Sequence, residues 1–240
     1  MPAVHVLVPV KALGLAKSRL AHALEPEARA DLVLAMLQDT LSAAHGLDDA
    51  QLTVITSDHR VAAVALESGA SVLVDPPAVR GVERSDSLNA ALRAAAEHAR
   101  AQSAGVDLVA LQADLPAVRS HELAEALEEA RATGIMIVAD HTGSGTTALL
   151  HCSTQDPLRP QFGPGSARRH LGDGARAVEA ALPGLRLDVD TVDDLGVAVR
   201  LGVGAATAAV LDRIGSTLPF PCPTSRRPPH ASSVPDTMER

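Results

Sequence analysis

The chain has 240 residues, a formal net charge of −8 and 46% hydrophobic residues, of which very few are aromatic. This length and composition are sufficient for one sizeable α/β domain with an aliphatic core. The negative charge argues against nucleic acid as a partner, and the shortage of aromatic rings removes the stacking surfaces that single-stranded nucleic acids require.

The cellular compartment is indicated by the cysteines and by the first apolar run. Cys152 and Cys222 are too far apart for a C-x-x-C motif, which argues against disulfide and zinc frameworks. The run "AVHVLVPV" has no basic region before it, so we interpret it as a first strand and not as a signal peptide. No stretch reaches the length of a membrane span, and we expect a cytoplasmic protein with no membrane partner.

Apolar runs alternate with helical patterns along the chain. Strands are predicted at residues 4–10, 52–56, 71–74, 106–111, 135–140, 146–151 and 185–190. Helices are predicted at residues 27–45, 86–102, 120–132, 165–180, 191–200 and 203–214. The segment "HTGSG" is typical of a hairpin turn. This order predicts a mainly parallel central sheet with helices on both faces and an inserted hairpin.

The composition changes near the end of the chain. Residues 216–240 are rich in Pro, Ser and Arg and show no periodicity. We therefore predict a single domain over residues 1–215 and a disordered tail over residues 216–240.

Three aspartates follow predicted strands, where ligands bind in open α/β sheets. Asp114 lies in the turn "QADLP", and Asp188 and Asp190 lie on one side of the predicted strand "LRLDVD". Two carboxylates this close repel each other unless a cation separates them, and Mg²⁺ accepts such ligands. A solvated edge strand, and a helix cap for Asp114, remain the alternatives.

Two Gly-rich stretches are candidate anion cradles. In "FGPGSARRH", Gly163 and Gly165 allow a close approach of the backbone, and Ser166 is placed to cap a helix. The second stretch, "GSGTT", covers residues 143–147. A plain capped helix and a plain hairpin turn are the alternatives for the two stretches.

The only two lysines are Lys11 and Lys17, against 19 arginines. A lysine ammonium is a compact charge that binds phosphate, although a GC-biased genome also explains the ratio. The chain has neither a G-x-G-x-x-G motif after its first strand nor a P-loop, which disfavours dinucleotide dehydrogenases and P-loop enzymes. Together, the aspartates, lysines and Gly-rich stretches indicate a nucleotidyltransferase.

Six segments occur in a characteristic order: "PVKALGLAKSRL", "SDSLNAAL", "ADLP", "GTTAL", "FGPGSARRH" and "LDVDTVDDL". In this order the chain, apart from its tail, closely resembles the CofC/FbiD family of guanylyltransferases in coenzyme F-420 biosynthesis. The resemblance implies a Rossmann-like nucleotidyltransferase fold of the MobA/GT-A type. It also implies transfer of GMP from GTP to a three-carbon phosphate, with release of pyrophosphate.

The same resemblance implies roles for individual residues. The acceptor would be bound by Thr147, Gly163 and Ser166. Mg²⁺ would be held by Asp114, Asp188 and Asp190. The GTP phosphates would face Lys11 and Lys17, and Asn89 would lie near the nucleoside.

Several alternatives stay open. The Arg- and Ala-rich composition favours phosphoenolpyruvate as the acceptor, as in actinobacterial members, over 2-phospho-L-lactate. A molybdopterin or sugar-1-phosphate nucleotidyltransferase is disfavoured because "PVKALGLAKSRL" stands where a "GGxSxRMG" loop is expected. A non-catalytic nucleotide-binding regulator is disfavoured by the paired Asp188 and Asp190. Hand-over of the product to the next enzyme of the pathway is a further expectation, although no docking surface is visible in the sequence.

Overall fold

The computed structural model describes residues 3–15, 17–75, 84–152 and 156–214. Its helices are α1 (Pro26–His45), α2 (His59–Glu67), α3 (Arg84–Gln102), α4 (Ser120–Thr133), α5 (Ser166–Gly172), α6 (Pro183–Arg186), α7 (Val192–Leu201) and α8 (Ala205–Ile214). Its strands are β1 (Val4–Pro9), β2 (Ala50–Ile55), β3 (Ser71–Leu73), β4 (Asp107–Leu111), β5 (Ile135–Ala139), β6 (Thr146–His151) and β7 (Arg176–Ala177).

The strands form one seven-stranded sheet in the order β3-β2-β1-β4-β6-β5-β7. Strand β6 runs antiparallel to both β4 and β5, whereas the pairs β1–β2, β1–β4, β2–β3 and β5–β7 are parallel. The predicted mainly parallel sheet with an inserted hairpin is therefore confirmed. The hairpin β5–β6 places its second strand directly beside β4.

The sheet is covered on both faces, and β1 is buried along its whole length. On one face, Val6 and Val8 belong to an aliphatic core that includes residues of α1, α4, α7 and α8. On the other face, Leu7 packs in a second core with Leu92 of α3 and with Phe162. A run of apolar residues without alternation, such as "VHVLV", is typical of a strand buried on both sides.

Two predicted elements need correction. The predicted strand 185–190 is wrong: α6 covers its first two residues, and residues 187–190 have no regular secondary structure and lie outside the sheet. Leu185, Leu187 and Val189 are nevertheless buried, so the alternation of apolar and polar residues reflects burial and not strand pairing. The predicted helix 165–180 ends at Gly172, because Gly174 adopts a positive φ of 97°, and residues 176–177 then pair with β5.

One helix is missing from the predicted elements. Helix α2 begins after Asp58, whose carboxylate accepts hydrogen bonds from the backbone N–H groups of Arg60 and Val61. The cap and the buried Val61 and Ala65 are sequence signals for this helix. The proposed tail, residues 216–240, lies outside the described residues, so the division into domain and tail stays a prediction.

The described helices are all too short or too polar to cross a membrane.

Helix α1 fastens the turn that follows β4. The hydroxyl of the fully buried Thr40 donates to Met36 O at 2.8 Å, lies 3.2 Å from Ala113 O and accepts a 3.2 Å bond from Leu115 N. One side chain therefore holds the backbone on both sides of Asp114.

We expect Thr40→Val to lower the free energy of unfolding by about 1–3 kcal/mol, because the buried Leu115 N–H loses its acceptor. Thr207→Val is the matched control: Thr207 is also fully buried, but its hydroxyl has no hydrogen-bond partner among the described residues. Removing that hydroxyl should leave stability unchanged or raise it. Urea unfolding followed by circular dichroism measures both variants, and equal effects would contradict the role of Thr40.

Candidate functional site

A cavity of about 590 Å³ opens at the end of the sheet where β1 and β4 have their carboxyl ends. Its walls come from five segments that are distant in sequence. They are Arg19 after β1, the turn after β4, the tip of the β5–β6 hairpin, the residues before α5 and the residues before and at the start of α7. The position agrees with the rule that open α/β sheets bind ligands beyond the carboxyl ends of their strands.

The Lys17 ammonium lies between two of the predicted metal ligands. It donates a very short hydrogen bond to Asp114 Oδ2 and a bond of 2.6 Å to Asp190 Oδ1, and its side chain is only 9% exposed. Burial alone would lower the pKa of Lys17, but the two carboxylates raise it above its ordinary value. The same ammonium keeps the pKa of Asp190 below its usual value in spite of burial. Lys17 is therefore a fixed positive charge bound to two of the residues that line the cavity.

Asp188 lacks such compensation. Burial, followed by the negative charges of Asp114 and Asp190, raises the pKa of Asp188 to about 7. The charge of Lys17 opposes this rise only in part, and the His141 ring lies close by, with Nδ1 3.7 Å from Asp188 Oδ1 and Nε2 3.5 Å from Asp194 Oδ1. The lining at this end of the cavity therefore carries more negative than positive charge.

Asp190 is held by the cap of α7. Thr191 caps this helix, and Asp194 Oδ2 accepts hydrogen bonds from Asp190 N (3.1 Å), Thr191 N (2.8 Å) and Thr191 Oγ1 (2.8 Å). Because both the helix cap and the Asp190 backbone depend on one carboxylate, the position of Asp190 is coupled to the start of α7.

The predicted Mg²⁺ ligands suit a cation shared with a substrate better than a closed protein cage. In the described part of the chain, no three His, Cys, Asp or Glu side chains are grouped so that they could hold a metal ion by themselves. Asp114 Oδ1 is nevertheless buried and has no hydrogen-bond partner in the residues that the structure describes, and Asp188 and Asp190 line the same cavity. Mg²⁺ commonly takes one or two carboxylates and completes its shell with phosphate oxygens and water. These residues suit a Mg²⁺ ion, and the assignment of the metal stays a prediction.

Lys11 lies apart from Lys17. Neither lysine is among the described residues that line the cavity, and the charge of Lys11 acts on Asp75, which follows β3. Burial raises the pKa of Asp75 in spite of this cation. The predicted contact between Lys11 and GTP is untested, and Lys11 follows β1 at the same carboxyl edge of the parallel strands as the cavity.

The predicted cradle in "GSGTT" already has an acceptor. The Asp140 carboxylate accepts hydrogen bonds from Ser144 N at 3.0 Å and Gly145 N at 2.8 Å, and from the Thr142 hydroxyl at 2.8 Å. The amides at the hairpin tip therefore stabilise the turn itself, as the alternative interpretation holds. Asp140 also brings a further carboxylate to the cavity.

The residues that precede α5 form a second wall, which we name the Gly-Pro-Gly loop (residues 161–165). Gly163 and Gly165 have positive φ values of 122° and 70°, and a Cβ atom on Gly163 would lie 2.9 Å from Ser85 Cβ. Only glycine fits this position without displacing α3. The cap of α5 is Gly165 and not Ser166, which is the first residue of the helix.

The Ser166 side chain faces β6. It is almost fully buried, and its hydroxyl donates to Thr146 Oγ1 at 3.0 Å. Thr147, which was predicted to bind the acceptor, is fully buried, and its hydroxyl donates to Val138 O. Its neighbour Thr146 lines the cavity instead. A direct acceptor contact of the Thr147 side chain stays untested, and Thr146 is the residue that sequence reasoning missed.

Both polar atoms of the Asn89 side chain bind the backbone of Phe162. Its Nδ2 donates to Phe162 O at 3.1 Å, and its Oδ1 accepts from Phe162 N at 2.8 Å. The predicted nucleoside contact is untested, and the observed contacts connect α3 to the Gly-Pro-Gly loop.

A family model described as "Guanylyl transferase CofC like" matches residues 4–227. The chain belongs to this family.

Curated relatives of this guanylyl transferase chain span nearly the same length. It is 50% identical to phosphoenolpyruvate guanylyltransferase 1 of Rhodococcus jostii, over 92% of this chain and 98% of the relative. It is 52% identical to the phosphoenolpyruvate guanylyltransferase of Nocardia farcinica, over 89% of this chain and 92% of that one. The corresponding protein of Mycobacterium leprae is 47% identical, over 87% and 94% of the two chains.

Solved structures with low sequence identity share the fold. A putative nucleotide-diphospho-sugar transferase from Desulfovibrio desulfuricans superposes with a TM-score of 0.62 at 16% identity, covering 90% of this chain and 97% of the other. A nucleotidyl transferase from Methanothermobacter has a TM-score of 0.57 at 20% identity, covering 83% and 97% of the two chains. The predicted nucleotidyltransferase fold of this guanylyl transferase family member is confirmed.

The charge on Asp188 gives a prediction for the protein without divalent cations. The folded pKa of about 7 lies above the ordinary value, so ionising Asp188 destabilises the fold increasingly as pH rises from about 4 to 7. Asp188→Asn removes this cost. The variant should melt higher than the wild type by about 5–10 °C at pH 8, and by less at pH 5.

The measurement is thermal unfolding in a chelating buffer at several pH values. A difference in melting temperature that does not grow between pH 5 and pH 8 would show that Asp188 is not held among uncompensated charges.

Proposed function

We propose that this protein transfers GMP from GTP to phosphoenolpyruvate, giving enolpyruvyl-diphospho-guanosine and pyrophosphate, in the biosynthesis of coenzyme F-420. The observation that carries the proposal is the identity of about half of all residues with phosphoenolpyruvate guanylyltransferases over nearly the whole chain. The family match supports the guanylyl transfer, and the cavity supports a reaction between anions.

The acceptor follows from the relatives rather than from the cavity. Phosphoenolpyruvate and 2-phospho-L-lactate differ by two hydrogens, and both carry a phosphate and a carboxylate. The relatives described above, at 47–52% identity, are named phosphoenolpyruvate guanylyltransferases. Their names favour phosphoenolpyruvate as the acceptor of this protein.

The reaction joins two anions. A phosphate oxygen of the acceptor attacks the α-phosphorus of GTP, a new P–O bond forms, and the bond to the leaving pyrophosphate breaks. The acceptor phosphate is already ionised, so the step needs positioning and charge neutralisation more than a general base. This agrees with a cavity that several carboxylates line and whose Asp114 and Asp190 are bound by the Lys17 ammonium.

Lys17 supplies the protein's own positive charge at this point. Its ammonium is shared between Asp114 and Asp190, and Arg19 Nη1 lies 3.8 Å from Asp190 Oδ2 at the cavity wall. We propose that Asp114, Asp188 and Asp190 hold Mg²⁺ when GTP is bound. When present, Mg²⁺ would neutralise the triphosphate and polarise its phosphorus–oxygen bonds. Lys17 would then keep the carboxylates and the phosphate oxygens at close range.

The Gly-Pro-Gly loop and Ser166 are the proposed acceptor site. They face the carboxylates across the same cavity, so an acceptor there lies beside the GTP phosphates. The product contains an activated diphosphate linkage, and we further propose that it passes to the next enzyme of the pathway.

The test of the function is pyrophosphate release from purified protein. We expect release only when GTP, Mg²⁺ and phosphoenolpyruvate are all present, and less with ATP, CTP or 2-phospho-L-lactate. Binding of GTP without pyrophosphate release from either acceptor would identify a nucleotide-binding regulator and refute the proposal. Faster turnover with 2-phospho-L-lactate would correct the acceptor and leave the reaction class unchanged.

The acceptor site gives a separate prediction. Ser166→Ala removes a hydroxyl at the wall of the cavity, and we expect KM for the acceptor to rise about tenfold to a hundredfold while KM for GTP stays nearly constant. Initial rates with each substrate varied in turn give both constants. A defect confined to GTP would mean that the two substrate pockets are assigned the wrong way round.

A further inference from the structure

The Gly-Pro-Gly loop has no regular secondary structure, yet side chains from two helices bind its backbone. Phe162 and Pro164 line both the proposed acceptor cavity and a second cavity bordered by α3, so the loop is a thin wall with open space on both sides. A wall of this kind needs its polar groups fixed if it is to present one shape to a ligand.

Asn89 binds the centre of the wall. Its amide makes a pair of hydrogen bonds to Phe162, one to the carbonyl and one to the N–H, in the way a neighbouring strand would. The Phe162 ring is buried against α3. It packs edge to face with the His170 ring, and the two ring centroids are 5.4 Å apart. Asn89 and the ring together fix the residue immediately before Gly163.

Arg169 binds the loop from its outer side. Its guanidinium donates to Pro164 O at 2.5 Å and to Gln161 O at 2.8 Å, so that one side chain spans the two ends of the wall. The fork of the guanidinium group can reach two carbonyls at once, which a lysine ammonium cannot do with the same geometry.

His170 binds the loop from within. Its Nε2 accepts a 2.8 Å hydrogen bond from Gln161 N, so Nδ1 carries the proton and donates to Thr146 Oγ1 at 3.1 Å. Thr146 Oγ1 in turn accepts from Ser166 Oγ. Burial, and then the nearby Arg169, lower the pKa of His170 to about 4, which keeps the ring in this neutral form.

We propose that Asn89, Arg169 and His170 are positioning residues that hold the Gly-Pro-Gly loop in the shape that binds the acceptor. None of the three needs to touch the acceptor. Their effect passes through Phe162, Gly163 and the Thr146–Ser166 hydrogen bond. The inference rests on the proposed function, because it takes this loop as the acceptor site, and it assigns Asn89 to the acceptor side rather than to the nucleoside.

The decisive variant is Arg169→Gln. Arg169 is exposed, so the substitution should not disturb the core. We expect KM for phosphoenolpyruvate to rise about fivefold to tenfold, with KM for GTP changed less than about twofold. Asn89→Asp should raise KM for phosphoenolpyruvate by more than Arg169→Gln does, because the new carboxylate would face Phe162 O without a proton to donate.

Arg168→Gln is the matched control. Arg168 is the neighbouring exposed arginine, and the structure gives it no hydrogen bond to the described residues of the loop. It loses the same charge as Arg169→Gln but none of the loop's bonds. An equal rise of KM in both variants would show that the acceptor responds to charge alone and would overturn the inference.

Hydrogen exchange of the peptide that covers residues 161–166 provides a readout besides activity. The amides of Gln161 and Phe162 should exchange faster in Arg169→Gln than in the wild type and in Arg168→Gln. Unchanged exchange, or a defect that falls on GTP instead of the acceptor, would overturn the positioning role. Wild-type protein that is inactive with both acceptors would refute the proposed function, and this result appears before any variant is measured.

Discussion

The Lys17 ammonium between Asp114 and Asp190 is the interaction on which the site depends. Three segments far apart in sequence meet there, and each brings a charge that would be costly to bury alone. The pairing compensates two carboxylates and leaves Asp188 short of positive charge. A ligand that arrives with its own cation therefore completes the balance of charge, which explains why a site for a reaction between anions can be rich in aspartate.

The scaffold makes this arrangement rigid. Thr40 of α1 holds the turn around Asp114, and the cap of α7 holds Asp190 through Asp194. On the opposite wall, side chains of α3 and α5 hold the Gly-Pro-Gly loop. Both walls of the cavity are thus fixed by hydrogen bonds from side chains of the surrounding helices.

Sequence reasoning identified the fold, the family and the segments that line the cavity, because apolar runs and Gly-rich motifs are local signals. It could not establish which way a side chain faces within a motif. Thr147 was predicted to contact the acceptor, whereas Thr146 lines the cavity. Which of the two faces the cavity depends on the register of β6 with β4 and β5. It also could not show that Asp140 binds the hairpin amides or that Asn89 binds Phe162, because such contacts exist only after distant segments meet.

The antiparallel β6 has a consequence for how this architecture can vary. Residues Leu111 and Ala148 are paired, and Gln112 N donates to Thr147 O, so the backbone ladder ties the strand before Asp114 to the strand that begins at Thr146. The distance between the turn that carries Asp114 and the start of β6 is therefore set by sheet hydrogen bonds and not by the length of a loop. The tip of the hairpin, which lies beyond these paired residues, can accordingly change in length while the distance between Asp114 and the start of β6 stays the same.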